Sequence, residues 1–380
     1  MADEWDVAQD REPLSWRVRR WAAPIAMAAS VAASITAVQW LADDGVPPTT
    51  PQWKDRRPRF ILTVGETGNS APGDGPVPWF QVRPLQADVR TPSADTVMPL
   101  PSAGEAREIL AGPKGTFVVA AFRKEPCESR FYRFGLTDDG HVKSLKPLRG
   151  EAVPALVGGL AMSPDGDRLA YTTTSCTGDT QRPAEPRANV SVLDIGSGHT
   201  RTWHTAGASV IGEIVWARNS RTLGYTISDV HPGASLGTDI RPGQPDLLTR
   251  RAIQNVTVHS LDTDAQGTDL RAGRTLFHRK AGSGTVTTAV MSPDGRTGYG
   301  TIRKTQPPST VVFSFSEGEL MRVTSAIPQK PDTAVVITFV SADEPRYACL
   351  NGLDSFGRVI GGEFMARQSD MAGCRSAYAY

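Results

Sequence analysis

Ala161-Met-Ser-Pro-Asp-Gly-Asp-Arg-Leu-Ala-Tyr171 reads as the end of one strand, a tight turn and the start of the next strand. Proline sets φ at the first corner of such a turn, the Ser hydroxyl caps a free backbone amide, Asp suits the next corner and Gly accepts positive φ. The phrase returns as Val290-Met-Ser-Pro-Asp-Gly-Arg-Thr-Gly-Tyr299, and in degenerate form as Val215-Trp-Ala-Arg-Asn-Ser-Arg-Thr-Leu-Gly-Tyr225. A second repeat, Asn189-Val-Ser-Val-Leu-Asp and Asn255-Val-Thr-Val-His-Ser-Leu-Asp, falls at the same strand of adjacent units. A repeat of this length is one antiparallel sheet unit that cannot bury its own faces alone. The pattern therefore predicts an all-β fold, a radial array of blades or β-propeller.

Short alternating or β-branched runs bounded by Gly, Pro, Asn or Asp supply the strands, with four, a to d from the centre outward, expected per blade. The first unit offers b, c and d at 59–65, 79–85 and 96–100, without an inner strand. The second offers 107–111, 116–123, 130–136 and 142–148, and the third 157–162, 168–174, 189–195 and 200–204. The fourth gives 211–216, 222–228, 255–261 and 274–278, and the fifth 285–291, 297–303, 310–315 and 320–324. The sixth gives 334–340, 346–352 and 358–365, with 375–380 as a last strand. Six blades follow, with five or seven left open because the first and last units are incomplete. The last strand either completes the sixth blade or pairs with the first unit and fastens the ring.

The hydrophobic fraction of 39% with 36 Gly and 29 Pro in 380 residues suits many short strands joined by turns, and excludes a helical bundle or a disordered chain. A net charge of +1, with acidic and basic residues interleaved, leaves no electrostatic footprint for nucleic acid. No phosphate loop, dinucleotide fingerprint or zinc-protease motif is present, so no cofactor is expected. Cys127, Cys176, Cys349 and Cys374 form no C-x-x-C pair and have no His at metal-ligand spacing, which argues against a zinc site.

Residues 21–42 carry no charge and match the length of about 20 residues that a helix needs to cross a bilayer. Arg17, Arg19 and Arg20 precede this stretch and Asp43 and Asp44 follow it, which predicts a cytoplasmic tail at 1–20 and an outer location for the rest. The rival reading is a signal peptide, with secretion after cleavage. Residues 43–58 are a Pro-rich spacer, and 59–380 are the propeller. Outside the cytosol disulfides persist, so the four cysteines are expected to form two bridges. Three pairings are possible. The blade frame favours Cys127 with Cys176 in equivalent b to c loops, and Cys349 with Cys374 tying the last segment onto its own blade.

The Ser-Pro-Asp-Gly turns, the degenerate Trp216-Ala-Arg-Asn-Ser turn and Thr116-Phe-Val-Val-Ala-Ala resemble the TolB-like and WD-repeat β-propellers, in particular membrane-anchored propellers of actinobacteria. The resemblance covers residues 59–380 and implies a fold rather than a function, since such turns recur in propellers with unrelated roles. No blade carries a Trp-Asp ending.

The frame puts the repeated turns between strands a and b on one face and the b to c loops on the other. The b to c loops at 66–78, 175–188 and 229–254 are long and rich in Gly and Pro, and insertions on one face of an array mark a binding face. Candidate contact residues in the longest are His231, Ser235, Asp239, Arg241, Arg250 and Arg251. Gly233-Ala-Ser-Leu-Gly237 fits G-x-S-x-G, but a nucleophile elbow needs a strand before the Ser and a helix after it, and neither pattern is there. Asp165 and Asp294 read as turn residues rather than metal ligands, and Asp138, Asp139, Asp262 and Asp264 as solvated turn acids. The histidines read as solvent-facing. No catalytic set emerges, so the chain is not expected to be an enzyme. The expected function is a membrane-anchored, extracytoplasmic scaffold for a protein or cell-envelope ligand. The alternatives are a transmembrane signalling component acting through the short tail and, third, a propeller hydrolase.

Overall fold

The chain divides into two units, Met1–Arg56 and Arg57–Tyr380. The computed structural model describes residues 59–64, 79–84, 94–97, 104–174, 188–231, 253–280, 284–305, 308–316, 319–328, 336–339, 347–351, 355–360, 363–368 and 377–379, all in the second unit. Among these residues no helix is long and apolar enough to cross a membrane, and residues 21–42 lie outside them.

The described strands form six four-stranded antiparallel sheets. The first contains β1 (Phe60–Val64), β2 (Trp79–Pro84) and β3 (Ala94–Val97). The second is β4 (Glu105–Ala111), β5 (Thr116–Arg123), β6 (Glu128–Leu136) and β7 (Val142–Pro147). The third is β8 (Leu156–Met162), β9 (Arg168–Thr174), β10 (Asn189–Asp194) and β11 (Thr200–His204). The fourth is β12 (Ser209–Trp216), β13 (Thr222–Val230), β14 (Ile253–Asp262) and β15 (Arg274–Lys280). The fifth is β16 (Thr285–Met291), β17 (Thr297–Thr305), β18 (Pro308–Ser316) and β19 (Glu319–Pro328). The sixth is β20 (Val336–Phe339), β21 (Tyr347–Asn351), β22 (Ser355–Ile360) and β23 (Glu363–Gln368).

The last strand, β24 (Ala377–Ala379), leaves the sixth sheet and joins the first, where Phe60 pairs with Ala379 and Leu62 with Ala377. This settles the open end of the sequence frame: the C-terminal strand supplies the inner strand that the first unit lacks. It also corrects the sixth unit, where the run 358–365 is two strands. Ile360 pairs with Glu363 across Gly361-Gly362, the dipeptide of a two-residue hairpin. β3 begins two residues before the expected 96 and ends at 97.

Among the described residues the core is cut into slabs, one between each pair of neighbouring sheets from the first to the fifth. β5 shows why: Phe117, Val119 and Ala121 pack toward the first sheet with Leu62, Phe80, Val82 and Tyr132. Val118 and Ala120, on its other side, pack with Val157, Leu169 and Tyr171 of the third sheet. A strand buried on both faces reads as a continuous apolar run, which is how Thr116-Phe-Val-Val-Ala-Ala reads. Trp203 and Val190 meet Trp216, Leu223 and Tyr225 between the third and fourth sheets. Phe277 and Val258 meet Met291, Phe313 and Phe315 between the fourth and fifth. Ring pairs span these slabs, among them Phe80 with Phe134, Phe131 with Tyr171 and Phe277 with Phe315, each with centroids 4.9 Å apart. Each large side chain so buried contributes about 1.5–3 kcal/mol.

Candidate functional site

Strands a, b, c and d alternate in direction, so a–b and c–d connections fall at one end of each sheet and b–c and d–a connections at the other. The two ends are made differently. At the first, the repeated phrase closes the a–b turns. In the third sheet the Ser163 hydroxyl donates to Asp165 Oδ1 (2.5 Å) and accepts from the Arg168 amide (2.9 Å), while Asp165 Oδ1 accepts from the Asp167 amide (3.1 Å). Burial pushes the Asp165 carboxyl up, but these hydrogen bonds outweigh it and hold it below its ordinary value. In the fifth sheet Asp294 accepts from the amides of Arg296 and Thr297 (2.8 and 2.9 Å). In the degenerate phrase Asn219 does the same for Arg221 and Thr222 (3.0 and 2.9 Å). In each copy the side chain closes its own turn.

These turns also touch one another from sheet to sheet. The Asp165 amide donates to Ser220 Oγ (3.1 Å), and the Arg218 amide to the Pro293 carbonyl (2.8 Å). Gly166 has φ of +83°, and a Cβ there would lie 2.8 Å from Pro113 Cγ in the turn of the second sheet. Trp216, at the last residue of β12, is 1% exposed and its Nε1 donates to the Ala161 carbonyl of β8 (3.0 Å). The same end carries the c–d connection of the fourth sheet, which lies against the third. The Arg201 guanidinium stacks on Trp203 at 4.6 Å and donates to the carbonyls of Thr263 (3.0 Å), Ala265 and Gly267 (2.8 Å).

Asp262 and Asp264 are exposed to solvent as expected of turn acids, and they are also paired: Arg221 forks onto Asp262 (2.7 and 2.8 Å), and Arg168 pairs with Asp264 (3.0 Å). The Arg221 hydrogen bond holds the Asp262 carboxyl below its ordinary range. His259 is buried rather than solvent-facing, stacked on Tyr225 with centroids 5.8 Å apart and with Nδ1 3.1 Å from the Gly273 carbonyl. Burial lowers its pKa. A central strand packed on both faces leaves no wet side for a polar residue, and β14 is such a strand.

The other end carries the long connections between β1 and β2, β9 and β10, and β13 and β14, whose residues 65–78, 175–187 and 232–252 lie outside the described set. Of the candidate contact residues only His231 is described, and it is exposed at the end of β13. Ser235, Asp239, Arg241, Arg250 and Arg251, with the whole G-x-S-x-G match, lie outside. Asp229, placed in the loop by the sequence frame, is in β13 and pairs with Arg271 at 2.5 Å. Cys127 sits in the b–c turn of the second sheet and is disulfide-bonded. Cys176 and Cys374 lie outside the described residues, and Cys349 is in β21. Because β24 belongs to the first sheet, a bridge from Cys349 to Cys374 would clamp the crossing from the sixth sheet to the first, not tie the last segment onto its own sheet. No group of three or more metal-binding side chains occurs among the described residues.

No protein-family model matches the chain, and no curated protein matches it. Solved structures do. An acylaminoacyl peptidase in complex with Z-Gly-Gly-Phe-chloromethyl ketone is 14% identical over 70% of this chain and 40% of that one, with a TM-score of 0.41. The Pyrococcus horikoshii acylaminoacyl peptidase is 15% identical over 67% of this chain and 38% of that one, with a TM-score of 0.39. The β-propeller domain of the trilobed protease from Pyrococcus furiosus is 10% identical over 70% of this chain and 72% of that one, with a TM-score of 0.38. The chain thus spans about 40% of the length of the first of these peptidases. The expectation that the chain is not an enzyme is corrected here: the solved structures similar to it include acylaminoacyl peptidases and a prolyl endopeptidase.

Proposed function

We propose that residues 59–380 form a six-bladed propeller of the general TolB-like and WD-repeat kind, closed by β24 on β1, which binds a protein or cell-envelope ligand. The contact surface is the end that carries the b–c connections. We place the domain outside the cytoplasm, with 21–42 as its membrane anchor and a Cys127–Cys176 bridge stapling two of the b–c connections. One observation supports the choice of end: the a–b turns are short and hydrogen-bonded to one another, whereas the chain's longest connections between strands all leave from the opposite end. Evolution of a binding surface needs loops that vary without disturbing the sheets, and the longest connections at that end suit this.

The test exploits the ladder. Val230 and Ile253 are partners across β13 and β14, so residues 231–252 can be replaced by Asn-Gly, the pair that closes a two-residue hairpin. Proteins and envelope components crosslinked to the full chain in its native membrane are compared with those of the variant. Specific partners present with the full chain should be lost from the variant. An unchanged set would overturn the choice of face.

A further inference from the structure

The outer edge of the second sheet gathers three cations on one side. β6 pairs with β7 so that Arg133 faces Lys146 and Gly135 faces Lys143, with a slip in the ladder between the two rungs. Residues 133 and 135 are two apart on one strand and point to the same side, and cross-strand partners share that side. Lys143 and Lys146 are three apart and would point to opposite sides of a regular strand. The slip brings them together. Within it Ser144 has φ of +59°, a left-handed conformation that costs a non-glycine residue free energy.

Two unfavourable features are thus kept in one place, since like charges directly opposite in an antiparallel pair also destabilise it. Lysines on an exposed edge strand guard against pairing with another chain, and that accounts for either lysine singly. It does not account for Arg133 on the inner neighbour β6, at the rung that faces Lys146, nor for a strained residue that turns Lys143 to the same side. Two of the nearby acids are committed elsewhere, Glu128 to Arg123 and Arg130, and Asp139 to Thr137 and His141. Among the described residues no carboxylate lies within salt-bridge distance of Arg133, Lys143 or Lys146. Gly135 leaves the space beside Lys143 open, as a Cβ there would meet only the Gly115 carbonyl, at 3.8 Å. Further along β6 and past the end of β7 a shallow cleft between the second and third sheets is lined by Phe131, Leu148, Arg149, Glu151 and Thr200 among others, and not by the three cations themselves. Arg149 is held there by the Gly196 carbonyl at 3.0 Å.

We propose that this face is a binding site for a phosphate group. The planar Arg133 guanidinium suits two of its oxygens, and Lys143 and Lys146 act as flanking point charges. Three converging cations match a dianion with three strong acceptor oxygens better than a singly charged carboxylate. The group can come from a soluble phosphate compound or from a lipid headgroup.

Inorganic pyrophosphate is titrated calorimetrically into the full chain in non-ionic detergent at low ionic strength. Saturable binding is expected that weakens with added salt and falls about tenfold or more in Lys143→Ser/Lys146→Ser. The melting temperature of Lys146→Ser should be unchanged or raised, because a like-charged pair is removed, so that lost binding is not lost folding. Flotation of the same proteins with phosphatidylcholine vesicles, with and without phosphatidylglycerol, separates the sources. Retention that rises with phosphatidylglycerol for the natural chain only points to a headgroup, and pyrophosphate binding with no such rise points to a soluble phosphate. No pyrophosphate binding together with no dependence on phosphatidylglycerol, or equal binding by the double variant, would falsify the site.

Discussion

The a–b end and the b–c end belong to the same strands, yet they are fixed by different means. At the a–b end each turn is held by its own side chains and then by its neighbour: Ser163 and Asp165 close one turn, and the Asp165 amide reaches Ser220 in the next. At the b–c end the strands run into connections of very unequal length, from two residues between β17 and β18 to the stretch between Val230 and Ile253. The contrast teaches that packing order and recognition are separated in this fold. Sheets that bury both faces must be placed accurately against their neighbours, because cores tolerate little change in volume or position. Placement by short turns at one end frees the other end to vary, as loop length costs little free energy.

If the a–b end places the sheets, its substitutions should be the costly ones. The largest effect is expected for Trp216→Ala, which empties a side chain 1% exposed between the third and fourth sheets and strips the Ala161 carbonyl of its donor. Loss of about 3–5 kcal/mol is expected, measured by chemical denaturation. A loss below about 1 kcal/mol would show that the sheets hold without this tie. A finer comparison lies within the repeated phrase. Ser163→Ala removes a hydroxyl that both donates and accepts, at a cost of about 1 kcal/mol. Ser292 occupies the same place in the fifth sheet, but its Oγ is buried without a partner. Ser292→Ala should therefore be neutral or slightly stabilising, because an unpaired buried hydroxyl is unfavourable. Equal losses at the two positions would mean that the phrase acts through backbone preference alone.

How much of this the sequence carries depends on the range of the forces involved. β5, β9, β11 and β16 occupy the residues expected from alternation and turn chemistry, because both signals are local. The destination of β24 is not legible: three residues, Ala377–Ala379, select the first sheet by pairing with a strand more than 300 positions away. Gly361-Gly362, in contrast, is a readable hairpin signal within a run that apolar content alone presents as one strand. Alternation misplaces His259, because it implies a wet face that a doubly packed strand lacks. The candidate contact surface is legible only as topology. The ladder places the ends of the long connections and His231, while the chemistry of contact rests on residues 232–252. The three cations around Ser144 give no sequence signal, since only the slip in the β6–β7 ladder makes Lys143 and Lys146 neighbours of Arg133 on one side.

Removing the longest of the b–c connections sharpens the comparison most. Replacing 231–252 by Asn-Gly keeps the Val230 and Ile253 rung and removes only chain at the b–c end. Shortening a connection lowers the entropic cost of closing it by about 0.6 kcal/mol per halving, so that going from residues 231–252 to two residues, between three and four halvings, favours folding by about 2 kcal/mol. Whatever packing the segment supplies acts the other way. Stability in denaturant titration should consequently lie between that of the natural chain and about 2 kcal/mol above it. A loss comparable to that of Trp216→Ala would mean that the long connection packs as part of the fold, and the division between a placing end and a varying end would fail. A stable variant without its crosslinked partner would instead separate recognition from folding within a single molecule.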